Sequence, residues 1–137
     1  MSTPFTTPPV VVGYVPNAQG HAALEHGIAE ARRRGTGLLV ANSAGSDGFA
    51  DPKRLDEDDA TELQTQLDTA GVPFEVRTLG SSRSPSEHLV GLAEEVGAAL
   101  LVIGLRHRSL VGKLIMGSNA QRILLDATVP VLTVKAP

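Results

Sequence analysis

The chain contains no cysteine and no tryptophan, and only three phenylalanines and one tyrosine among its 137 residues. Without cysteine there is no disulfide scaffold, no thiolate zinc site and no sulfur nucleophile. With aromatics so scarce, the core has to be assembled from Val, Leu, Ile and Ala, the side chains of a sheet covered by helices. No apolar run is long enough to cross a bilayer. The segment from Met1 to Pro9 lacks the basic and apolar regions of a signal peptide, so the expected location is cytoplasmic. Basic excess is missing too: 12 Lys and Arg stand against 15 Asp and Glu, a net charge of −3. That balance counts against a general nucleic-acid binder, which needs clustered cations for phosphate contacts.

What is present is a chain of 42% hydrophobic residues, long enough for one domain with a real core. Pro4, Pro8 and Pro9 among Ser and Thr predict a flexible lead over residues 1–9, with a single domain over 10–137. Val10 to Val15 is β-branched and apolar, as a buried strand requires. Asn17 is placed to cap a helix whose apolar side is Ala22, Ala23, Leu24, Ile28, Ala29 and Ala31. Arg32, Arg33 and Arg34 fall in its last turn, where they complement the helix dipole, and Gly35 ends it. A second strand spans Gly37 to Asn42. Leu55, Leu63, Leu67 and Ala70 then recur at helical spacing, closed by Gly71. The acidic run Asp56 to Asp59 reads as the solvated first turn of that helix rather than a metal site. Val72 to Leu79 alternates with a period of two and starts at a proline, which suits a strand near a sheet edge. Ser84-Pro85-Ser86-Glu87 combines a cap, a first-position proline and a glutamate three residues on, a strong helix start. Leu89, Leu92, Ala93 and Val96 form its inner face. Ala99 to Ile103, a helix over Ser118 to Ala127, and Pro130 to Val134 complete the pattern. Strict alternation of strands and helices predicts an α/β fold, a parallel sheet doubly wound with helices on both faces.

The chemistry concentrates between Gly104 and Asn119. An apolar strand stops at Gly104, a loop follows with Arg106, His107, Arg108 and Lys113, and Gly117-Ser118-Asn119 opens a helix. Glycines admit a ligand close to backbone, and a helix N-terminus favours an anion. In open α/β sheets ligands sit beyond the carboxyl ends of strands where strand order reverses, which places this segment at the expected position. Two motifs are excluded. Gly112-Lys113 is followed by Leu114 and lacks the leading glycine of a Walker A loop, and no G-x-G-x-x-G follows the first strand. His21, His26 and His88 fall on helices; only His107 lies in the ligand loop. No G-x-S-x-G elbow occurs, and N-capping accounts for Ser118. Nothing in the sequence points to catalysis.

Ile103-Gly104, the basic loop, Gly117-Ser118, Asn119 to Leu124 and Val129-Pro130-Val131-Leu132 together resemble the universal stress protein family, and the likeness runs from the first strand to the last. The family's nucleotide motif is G-x-x-G, nine residues, then G-S or G-T; Gly104, Gly117 and Ser118 stand at its matching positions. The resemblance implies a five-stranded parallel sheet in the order 3-2-1-4-5, the adenine nucleotide alpha hydrolase-like fold. It also implies a homodimer through the last strand, over Val129, Pro130, Val131, Leu132, Thr133 and Val134, and a cytoplasmic stress-response role without defined turnover. ATP or AMP is the implied ligand, with Mg²⁺ only alongside it. By position, Tyr14, Val15 and Ser43 fall on the adenine side, and Ile103, Gly104, Arg106, His107, Gly117, Ser118 and Asn119 on the ribose and phosphate side. The sequence departs from the pattern where His107 replaces the motif's second glycine, where Val15 replaces an acid after the first strand, and where Pro16 takes a position often held by glycine. The alternatives are an interaction dimer with a vestigial site and, below that, a slow ATP hydrolase.

Overall fold

The computed structural model describes residues 5–43, 57–80, 83–105 and 117–136. Five strands, β1 (Val10–Tyr14), β2 (Leu38–Ser43), β3 (Phe74–Leu79), β4 (Leu100–Leu105) and β5 (Val131–Lys135), alternate with helices α1 (Ala18–Arg34), α2 (Glu57–Ala70), α3 (Pro85–Glu95) and α4 (Ser118–Asp126). The strands form one sheet in the order β3-β2-β1-β4-β5, parallel at each pairing. The predicted strand order is therefore the observed one, and the alternating strand β3 does lie at an edge.

Side-chain alternation splits the core in two. Val10, Val12, Tyr14, Leu38 and Val40 pack with Ala23, Leu24, Leu63 and Leu67 on the face covered by α1 and α2. Val11, Leu39, Ala41, Leu101 and Ile103 pack with Leu89, Leu92, Ala93 and Ile123 on the face covered by α3 and α4. The central strands β1 and β4 are buried on both faces, which is why they read as unbroken apolar runs.

The helix boundaries follow their local chemistry. Asn17 caps α1 by accepting from Gly20 N at 2.8 Å, and Gly35 ends that helix in the left-handed conformation at φ 66°. Ser84 caps α3 with Pro85 in the first turn. Gly71 and Gly97 also take positive φ just beyond α2 and α3, a conformation that costs glycine nothing. The arginine triplet lies in the last turn of α1 as expected: Arg33 and Arg34 pair with Glu30, while Arg32 donates to the Ala70 carbonyl of α2 at 2.6 Å.

Three expectations need correction. Ala29 is exposed, and the close packing of α1 falls instead to Gly20 and Gly27. Residues 5–9, expected as part of a loose lead, make specific contacts. Phe5 covers Gly37, Thr36 Oγ1 donates to the Pro8 carbonyl at 2.7 Å, and Ala99 N donates to the Pro9 carbonyl at 2.9 Å. Ser118 is the first residue of α4 rather than its cap; Gly117 holds the cap position, and no side chain among the described residues caps the helix. Leu55 and Asp56 lie outside the described residues; Asp58 and Asp59, with Glu57, do form the acidic first turn of α2.

Candidate functional site

β1 and β4 lie side by side, yet the chain leaves β1 toward β2 and leaves β4 toward β5. Their outgoing connections diverge and open a cleft at the carboxyl ends of the strands. A cavity of about 130 Å³ occupies that position. Gly13, Tyr14 and Val15 of β1 and its exit form one side, with Gln19 and Gly20 from the first turn of α1. Ile103 and Gly104 of β4 form the floor, with Ala41 and Leu79 beside them; Pro85, Ser86 and Leu89 of α3 face Asn119, Ala120 and Ile123 of α4.

Of the residues singled out in the sequence, Tyr14, Val15, Ile103, Gly104 and Asn119 are brought together in this wall. Gly117 and Ser118 open α4 immediately before Asn119. Ser43 ends β2, the strand from which Ala41 lines the cavity. Arg106, His107, Arg108 and Lys113 lie outside the described residues. The contribution of α3 was missed. Its strong start signal at Ser84-Pro85-Ser86-Glu87 was legible, but nothing local says that this helix end borders the cleft.

The glycine at 104 is required for a reason other than ligand access. A Cβ there would stand 2.1 Å from the Gln19 carbonyl oxygen, and a Cβ on Gly20 would stand 1.8 Å from the Val15 carbonyl oxygen. The end of β4, the exit of β1 and the first turn of α1 thus meet backbone to backbone. Gly117 differs: its φ and ψ of −67° and 162° suit any residue, and its Cβ position meets nothing within 4 Å among the described residues.

The electrostatics follow from the helix ends. The N-termini of α1, α3 and α4 all border the cavity, so their dipoles converge on it. Asn17 takes one free donor of α1, Gly20 N, and Ser84 one of α3, Glu87 N, whereas among the described residues α4 has neither a side-chain cap nor an acid in its first turn. Among the described residues, no side chain takes up the first donors of α4, which suit an exogenous acceptor. No described lining residue carries a charged side chain. Tyr14 is buried, its ring edge-on to His21 at 5.5 Å; burial, with Asp59 and Glu62 nearby, pushes its phenol up to about 12. Among the described residues, no cluster of three or more His, Asp or Glu side chains could hold a metal.

Cleft, strand order and the α4 terminus together define a recognisable frame, and a sequence model of the universal stress protein family matches residues 7–135 of this chain. The chain belongs to the universal stress protein family. A universal stress protein from Mycolicibacterium smegmatis is 45% identical over 126 residues, 92% of this chain and 96% of that one. A universal stress protein structure from Archaeoglobus fulgidus is 32% identical with a TM-score of 0.70, covering 94% of this chain and 99% of that one. A second structure from the same organism, in complex with dAMP, is 26% identical with a TM-score of 0.63, over 94% and 98% of the two chains. As a universal stress protein fold, the sheet carries the adenine nucleotide alpha hydrolase-like topology.

Proposed function

We propose that this universal stress protein binds an adenine nucleotide, ATP or AMP, in the β1–β4 cleft and acts as a cytoplasmic, homodimeric stress-response protein rather than a turnover enzyme. The observation that carries the reading is the N-terminus of α4, uncapped by any described side chain, opening onto a cavity at the strand-order reversal. Free N–H donors and a positive helix end suit a phosphate. The described cavity of about 130 Å³ is smaller than most ligand pockets, so its walls enclose one moiety of a nucleotide while the phosphates extend along α4. Tyr14, Val15 and Ser43 are assigned to the base side. Ile103, Gly104, Arg106, His107, Gly117, Ser118 and Asn119 are assigned to ribose and phosphates. Mg²⁺, where present, arrives with the nucleotide. A related structure holding dAMP supports the ligand class.

Titration calorimetry with ATP and AMP, with and without Mg²⁺, tests the reading. Saturable heat is expected, and silence at millimolar nucleotide overturns it. One observation favours a second reading, an interaction dimer with a vestigial site: Leu125 of α4 is 82% exposed and Leu124 is 42% exposed. A dimer that ignores nucleotide in the same titration would select it.

A further inference from the structure

We propose that Ser86 is a specificity-determining residue of the cleft, presenting a hydroxyl that can only accept, so that the site selects a 6-amino purine over a 6-oxo purine. This refines the nucleotide reading and rests on it. Ser86 lies in the first turn of α3, is 3% exposed and forms part of the cavity wall. Its Oγ lies 3.1 Å from Ser84 Oγ, a pair in which either oxygen is free to donate on distance alone. The surrounding bonds decide the direction. A serine hydroxyl has one proton and two lone pairs. Ser84 Oγ donates its proton to the Glu87 carboxylate at 2.9 Å and accepts from Glu87 N at 3.3 Å. One lone pair remains on Ser84, and the Ser86 proton fills it. Ser84 is then complete, and Ser86 keeps both of its own lone pairs with no proton to offer.

An acceptor-only oxygen in the wall discriminates between ligand groups. It pairs with an exocyclic amino group and repels a ring carbonyl or a phosphate oxygen, since each of those brings lone pairs against lone pairs. Glu87 adds negative charge in the same turn, whereas the first turn of α4 holds none. The two helix ends are therefore unlike. The anionic end of a ligand belongs at α4, and an amino-bearing base edge at α3.

The test compares AMP with IMP, which differ at the 6-amino and 6-oxo position, on the wild-type chain and two variants. The wild type is expected to bind AMP about tenfold more tightly, and Ser86→Ala to bring the two nucleotides within about threefold. Glu87→Ala is expected to narrow the preference as well, with Ser86 intact. Without the carboxylate, the Ser84 proton is released toward Ser86, which regains a proton to donate. Glu87 is exposed, so that variant decides the matter even if Ser86→Ala does not fold. Equal binding of AMP and IMP by the wild type, or an undiminished preference in the variants that fold, overturns the assignment of Ser86 alone. Failure of both nucleotides to bind overturns the nucleotide reading and this inference with it.

Discussion

Two glycines on the cleft do opposite jobs. Gly104 is pinned by the Gln19 carbonyl, 2.1 Å from where a Cβ would be, while Gly117 has open space among the described residues. Gly104→Ala must push α1 away from β4, and a loss of about 1–3 kcal/mol is expected from urea unfolding. Gly117→Val is expected to cost no more than about 1 kcal/mol, mainly because valine is a poor cap. In the same variant nucleotide affinity is expected to fall in calorimetric titration, because the branched side chain stands over the first donors of α4. The sequence marks both positions as glycine, but only tertiary contact separates a glycine pinned by packing from one with open space around it. Tyr14 supplies a pH signature. Its phenol is raised from 10.0 to about 12 by burial first, then by Asp59 and Glu62. A raised native pKa holds its proton while the unfolded chain loses it. The contribution is therefore full below pH 10 and is lost as pH rises toward about 12, by at most about 2 kcal/mol. Tyr14→Phe is expected to flatten that part of a stability-against-pH curve.

At the scale of elements, caps made the helices legible. Asn17, Ser84 and Gly35 act as their residue types predict, because a helix end is settled within a few residues of chain. Ser84→Ala should cost about 1 kcal/mol of stability in thermal unfolding. α4 starts at Ser118 as expected, but its cap is Gly117 rather than Ser118, because Gly-Ser offers two adjacent residues able to stand at a cap and spacing does not separate them. β5 shows why register matters to a dimer test. Leu101 N donates to the Pro130 carbonyl at 2.9 Å, and backbone groups alternate sides along a strand. Leu132 and Val134 therefore bond toward β4, while Val131 and Thr133 face the open edge. Thr133→Pro is expected to convert a dimer built on this edge to monomer in sedimentation, with the fold intact, because proline is tolerated at an edge. Leu132→Pro should instead break the β4 ladder and lower the unfolding midpoint. A Thr133→Pro protein that remains dimeric places the interface elsewhere.

At the scale of the whole molecule, ligand binding and stability are linked. If nucleotide binds only the native state, 100 times its dissociation constant should stabilise the protein by about 2.7 kcal/mol, read as a rise in the thermal midpoint. Alternation of strands and helices, continuous apolar runs in β1 and β4 and the period-two pattern of β3 were enough to determine the fold class. Burial on one or both faces is written directly into hydrophobic period. The Gly104 and Gly117-Ser118 motif belongs to the carboxyl edge of the sheet, where Gly104 lines the β1–β4 cavity. What tertiary structure alone decided was which surfaces meet there. The α3 terminus with Ser86, the uncapped α4 donors and the backbone contact at Gly104 come from elements far apart in sequence. Their proximity is set by how helices pack across the sheet, and no local pattern of residues encodes that distance.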